Sequence, residues 1–122
     1  MLVRRVRGEG REVEIPFRCD GPDVRREMDL RIGASSGGRF VIFAARLRAE
    51  HPRPAPQPLL SAETRRVGSK LTMCGWCDRF LVDGDWVEVE DAAARLDLFR
   101  REALPGLSHG ICPDCSRLLL AA

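Results

Sequence analysis

Four of the five cysteines fall into two identical spacings, Cys74-Gly75-Trp76-Cys77 and Cys112-Pro113-Asp114-Cys115, with 34 residues between them. Two thiolates three positions apart on a tight knuckle can both reach one ion at a Zn–S distance of about 2.3 Å. Two such knuckles complete a tetrahedral four-thiolate shell with no position left open. The gap exceeds the usual 15–20 residues between pairs, so a small substructure must fill it. We expect Cys74, Cys77, Cys112 and Cys115 to hold one structural zinc per chain.

Two plainer readings compete with the metal. Four buried thiols without an ion would need no regular spacing. Cys-Gly-Trp-Cys also looks like the Cys-Gly-x-Cys of thioredoxin-like proteins. That fold needs a βαβ unit around the motif, and the 45 residues after Cys77 offer none. Energetics favour zinc, because about 50 residues make a marginal core and a structural zinc can add roughly 10–16 kcal/mol of apparent folding free energy. His109, three positions before Cys112, is either an alternate ligand or a turn residue bonding to backbone or to a thiolate. With four thiolates present no vacancy requires it. Trp76 and Trp86 are expected to pack around the metal and keep solvent away, and Cys19 reads as an inert thiol at a strand end.

The elements that must position these residues follow from periodicity. Phe80-Leu81-Val82, the Asp83-Gly84 turn and Trp86-Val87-Glu88-Val89 predict a tight hairpin. Glu90 and Asp91 open a helix over 92–101 whose acidic start suits its dipole, and Pro105-Gly106 closes that region. The second knuckle runs into a short C-terminal helix at 116–120, whose N-terminal amides stabilise thiolate charge. Knuckle, hairpin, helix-borne pair is the order of a treble-clef-like or zinc-ribbon-like module, expected over 70–122.

Upstream the pattern has a period of two. Val13, Ile15 and Phe17 alternate with Glu12, Glu14, Pro16 and Arg18; Met28, Leu30 and Ile32 alternate with Glu27, Asp29 and Arg31. Asp20-Gly21-Pro22-Asp23 and Ser35-Ser36-Gly37-Gly38 supply the turns. Residues 39–47 are apolar on both faces and predict a twice-covered strand. A short helix at 2–8 and a three-stranded antiparallel meander therefore fill 1–50, giving an α+β chain. Such a meander needs cover, which must come from the second module or another chain. Between the halves, prolines at 52, 54, 56 and 58 predict an extended polyproline spacer over 51–60, roughly 20 Å long at about 3.1 Å per residue.

Composition excludes several function classes. At 122 residues, 44% hydrophobic and 31% charged, the chain reads as a soluble globular protein of one or two small domains. No apolar run approaches the ~18 residues of a membrane span, and Met-Leu-Val-Arg-Arg-Val-Arg offers no apolar signal core, so a cytoplasmic location is expected. There is no G-x-S-x-G, P-loop, H-E-x-x-H or kinase loop, and only two histidines, His51 and His109. A catalytic role and a small-molecule substrate are therefore not expected. The net charge of +2 hides an acidic zinc half. Residues 74–122 carry −4, and four thiolates on one Zn²⁺ bring that half to about −6. Arg4, Arg5, Arg7 and Arg11 are interleaved with Glu9, Glu12 and Glu14, and no aromatic ladder accompanies them. Nucleic-acid binding is expected to be weak and unspecific.

Cys74-Gly75-Trp76-Cys77, Gly84-x-Trp86, Val87-Glu88-Val89-Glu90 and Ser108-His109-Gly110-Ile111-Cys112-Pro113-Asp114-Cys115 together resemble a cysteine-rich tail of bacterial signalling proteins. In these, a C-x-W-C pair and an S-H-G-I-C-P-x-C pair follow PAS, GAF or response-regulator modules. The resemblance covers about residues 72–117 and implies a signalling context more than an activity. The first half, with its strand through Pro16-Phe17-Arg18-Cys19-Asp20, is similar to the last part of a PAS-like domain. It departs from that family in lacking the first strands and the helices that would close a ligand pocket. The expected function is thus a non-catalytic, zinc-stabilised protein-interaction or signalling module, whose partner is another protein or a second copy on the uncovered sheet face. A zinc–thiolate redox sensor is the alternative, and a nucleic-acid regulator the second alternative.

Overall fold

The alternating pattern of the first half becomes a meander. The computed structural model describes residues 2–122. Helix α1 (Leu2–Glu9) precedes β1 (Val13–Arg18), β2 (Val24–Ala34) and β3 (Val41–Pro52). The three strands pair antiparallel in chain order. Directly opposite residues share a face, so Ile15, Leu30 and Ala45 lie together, as do Val13, Ile32 and Phe43. The turns form where the sequence places them. Gly21 and Val24 exchange backbone hydrogen bonds, and the Ser35 hydroxyl accepts from the amide of Phe40 at 2.9 Å.

Cover for the apolar face comes from this chain. Val6 of α1 is fully buried against Val13, Ile15 and Ile32, and Trp76, Leu119 and Ala122 of the second half pack on the same cluster. The short upstream helix therefore does supply cover, because one inward valine suffices over two strands. On β3, Val41 joins this cluster, but the cover does not extend along the strand. Residues 41–47 on β3, expected to be covered on both faces, are largely exposed.

The proline-rich stretch is a strap, not a free spacer. β3 continues through His51 and Pro52, which stand opposite Arg25 and Val24. The amides of Arg53 and Gln57 then donate to the carbonyls of Asp23 and Pro22 at 2.9 and 2.7 Å. Proline at alternate positions still leaves these intervening amides free to bind, which the composition of the stretch conceals. Pro58–Leu60 closes it as one 3-10 turn with Leu59 buried in the second core.

That second core is built on a four-stranded sheet ordered β6-β5-β4-β7. Its members are β4 (Arg66–Cys74), β5 (Phe80–Val82), β6 (Asp85–Val87) and β7 (Leu104–Gly110). The hairpin β5–β6 turns through Asp83 and Gly84, both at positive φ, as predicted. Helix α2 (Val89–Arg95) begins before 92 and stops well before 101, because Asp97 adopts a left-handed conformation that ends the helix and turns Leu98 into the core. Pro105 and Gly106 do not end the region either. They lie within β7, which pairs parallel with β4. A proline is tolerated there because β7 is an edge strand. Helix α3 (Pro113–Ala121) follows and is longer than expected.

Charge joins the two halves. Asp20, its side chain only 1% exposed, binds both Arg18 and Arg53. Arg18 also reaches Glu88 with two bonds of 2.7 and 2.9 Å, and Arg53 reaches Glu90. Burial opposes the charge on Arg18, yet Asp20 and Glu88 outweigh it and hold the guanidinium above its usual range. Phe17 meets Trp76 edge-on at 6.3 Å, and the Arg18 amide donates to the Trp76 carbonyl at 2.7 Å. Removing the shared carboxylate with Asp20→Ala leaves two buried guanidiniums short of a partner and should cost about 3–5 kcal/mol. Urea unfolding measures this; a loss under about 1 kcal/mol would place the junction among weak surface pairs.

Candidate metal centre

The site is assembled by two strand ends. Parallel pairing sets Cys74, the last residue of β4, against Gly110, the last residue of β7. The chain leaves both strands at the same level, and the Gly75 amide donates to the Gly110 carbonyl at 3.0 Å. Thr72 and Ser108 hydroxyls meet at 3.1 Å two residues earlier and help fix the register. A side chain at Gly110 would crowd Thr72, whose methyl would lie 3.3 Å from the added carbon.

Each knuckle then curls back on itself. In the first, the Cys74 amide donates to Arg79 and its carbonyl accepts from Asp78, which sits at positive φ. In the second, Cys112 caps α3, its sulfur accepting from the Cys115 amide at 3.4 Å. The Cys112 amide in turn donates to the Cys74 sulfur at 3.4 Å.

These turns bring the four sulfurs within 4.8 Å of one another. Cys77 and Cys112 Sγ stand 3.7 Å apart. That is far beyond a disulfide bond of about 2.05 Å. It matches the edge of about 3.8 Å that four sulfurs 2.3 Å from a central ion would have. Cys74, Cys112 and Cys115 are buried, Cys77 partly so, and Trp76 and Trp86 pack against the group. The donor set therefore fits a metal ion that favours tetrahedral thiolate, the preference of zinc and of iron.

Electrostatics point the same way. Burial opposes ionisation of Cys74, but the amides of Cys112, Trp76 and Cys77 aimed at its sulfur bring it down to about 7. Burial, reinforced by the neighbouring Cys74 and Cys112 sulfurs, pushes Cys77 up to about 12. Cys115 is raised still further, by burial first and then by Cys112, Cys77 and Cys74. Four crowded sulfurs cannot all carry charge alone; a divalent cation is what lets the remaining protons leave.

His109 is not part of this group. It is exposed on β7, opposite Met73, and lines a cleft of about 520 Å³ with Cys19, Arg66 and Asp78. Cys19 is exposed just beyond β1. The sequence reading does not single out Asp78, because nothing in its spacing announces burial. Burial is the main cause that raises its carboxyl to about 6, with the Asp20 charge adding and the Asp20 amide opposing. Its Oδ2 accepts from that amide at 2.8 Å, so it braces the first knuckle against the meander. No family model, curated protein or solved structure matches the chain.

Protein purified without chelators should carry close to one metal equivalent, and Cys74→Ser or Cys112→Ser should unfold the second half, since binding energy here is folding energy. Less than about 0.2 equivalents, with all five thiols titrating freely, would contradict the site. Cys77 and Cys115 keep their protons at neutral pH until metal displaces them, and Cys74 is still partly protonated below pH 7, so apparent affinity should climb with pH, by at least about 100-fold per unit between pH 6 and 7. A chelator competition that shows no pH dependence would contradict that proton count.

Proposed function

We propose that this chain is a non-catalytic, zinc-stabilised protein-interaction module of the kind found at the end of bacterial signalling proteins. The observation that carries the reading is the convergence of four sulfurs within 4.8 Å under two tryptophans. Four thiolates saturate a tetrahedral ion, so zinc there is a staple and not a Lewis acid with an open position. Knuckle, hairpin and helix-borne second pair support a treble-clef-like description, to which the parallel β4–β7 pair is added. The C-x-W-C and S-H-G-I-C-P-x-C strings support the signalling context, and the meander beside them supports the partial PAS-like likeness.

Charge supports a protein partner over nucleic acid. Arg31 is paired with Glu12 and Glu14, and Arg11 with Glu9, so these arginines lie among carboxylates. No helix is long and apolar enough to cross a membrane, which is compatible with a cytoplasmic role.

A second reading, the zinc–thiolate redox sensor, is favoured by one detail. Cys77 and Cys115 line a cavity of about 210 Å³ beside Trp76, Phe17 and Leu118, giving oxidant a route to two sulfurs. Mild peroxide followed by a colorimetric zinc-release assay separates the readings. A scaffold should keep more than about 90% of its zinc for an hour at roughly tenfold peroxide, whereas release within minutes would establish the sensor.

A further inference from the structure

The first sheet has two unequal edges. β1 is tied to the second half through the bond from Arg18 to Trp76. Among the described residues, no strand pairs with the outer edge of β3. That edge is 12 residues long and exposes large apolar groups, with Ile42 at 54%, Phe43 at 56% and Leu47 at 48%. Proteins that must stay monomeric block such edges with charge, proline or a bulge. The run Val41-Ile42-Phe43-Ala44-Ala45 contains none of these. The register shift between β2 and β3 lies beyond it, where Arg48 is the extra residue between Leu47 and Ala49.

The strand is also complementary to itself. An antiparallel pair of identical strands has one residue on its two-fold axis, and opposite residues share a face. With Ala45 on the axis, Phe43 faces Leu47 of the second copy and Leu47 faces its Phe43. The small alanines meet at the centre, where the backbones approach. Arg46 falls opposite Ala44, so no like charges oppose one another. Ile42 falls opposite Arg48, the bulged residue at which regular pairing ends; an axis at Ala44 instead sets Phe43 against Ala45 and Ile42 against Arg46 within the seam, and an axis at Arg46 stacks two guanidiniums.

We propose that β3 pairs with β3 of a second copy about a two-fold axis at Ala45, joining two three-stranded sheets into one of six strands. Phe43, Ala45 and Leu47 share the face of Ile32, Leu30 and Met28, so the apolar layer begun under Val6 continues across the seam. Regular pairing covers residues 43–47, up to the Arg48 bulge, roughly 17 Å at 3.4 Å per residue. So short a seam makes a reversible dimer, expected in the micromolar range or weaker. This deepens the interaction-module reading by naming the partner and rests on that reading only for its role, since the pairing requires no metal.

Sedimentation velocity of the full chain from about 1 to 300 µM, with zinc content measured on each sample, tests it. The expected result is a monomer–dimer curve that Ala45→Lys, Phe43→Lys or Leu47→Glu shifts at least about tenfold towards higher concentration. The double variant Phe43→Lys/Leu47→Glu should recover to within about threefold of the parent, because each introduced lysine then faces an introduced glutamate. All three positions are exposed, and an unchanged zinc content reports that the variants fold. A monomer at every concentration, a species heavier than a dimer, an Ala45→Lys chain that associates like the parent, or a double variant no tighter than the singles would overturn the proposal. Association of a chain that carries no zinc would uphold the dimer while refuting the zinc module, so the two readings fail separately.

Discussion

The parallel pairing of β4 with β7 is the constraint on which the rest depends. It alone sets Cys74 beside Gly110 and so starts both knuckles from one level. A slip of one residue would move a knuckle by about 3.3 Å and turn its side chains to the other face. Such a non-local pair carries a loop-closure cost that local contacts do not offset until late. A metal ion held by both knuckles would supply the missing cross-link, as it closes the same loop that the strands close. Core packing acts with it, since Leu104 at the start of β7 and Met73 near the end of β4 lie in one buried cluster with Phe80 and Val89.

The two halves share one residue at their centre. Trp76 packs on the cysteine cluster and on the apolar cluster of the meander, and its carbonyl accepts from Arg18. Ordering the first knuckle therefore orders the sheet's cover as well. The network of Arg18, Asp20, Arg53, Glu88 and Glu90 links the strand end, the strap and the start of α2. Its buried members are costly alone and satisfied together, which makes the junction specific more than strong.

What could be read from the sequence was what is local. The paired Cys-x-x-Cys knuckles, the alternation of Val13, Ile15 and Phe17, and the Asp83-Gly84 turn each announce themselves within a few residues, and each is present. What escaped depends on distant partners. Pro105-Gly106 reads as a breaker, and only the vacancy beside β4 makes it an edge strand. The prolines after His51 read as a spacer, yet the amides between them dock on Asp23 and Pro22. Asp97 looks like an ordinary helical residue until the core draws Leu98 inward. The apolar run at 39–47 reads as a buried strand, and its exposure is a property of the sheet's order, not of its composition.

The central claim is that one ion held by Cys74, Cys77, Cys112 and Cys115 organises the second half of the chain. X-ray absorption at the zinc edge of the purified protein tests it most directly. The account predicts a single shell of four sulfurs at about 2.3 Å and no light-atom ligand. A shell that includes nitrogen or oxygen, or one with fewer than four sulfurs, would contradict it.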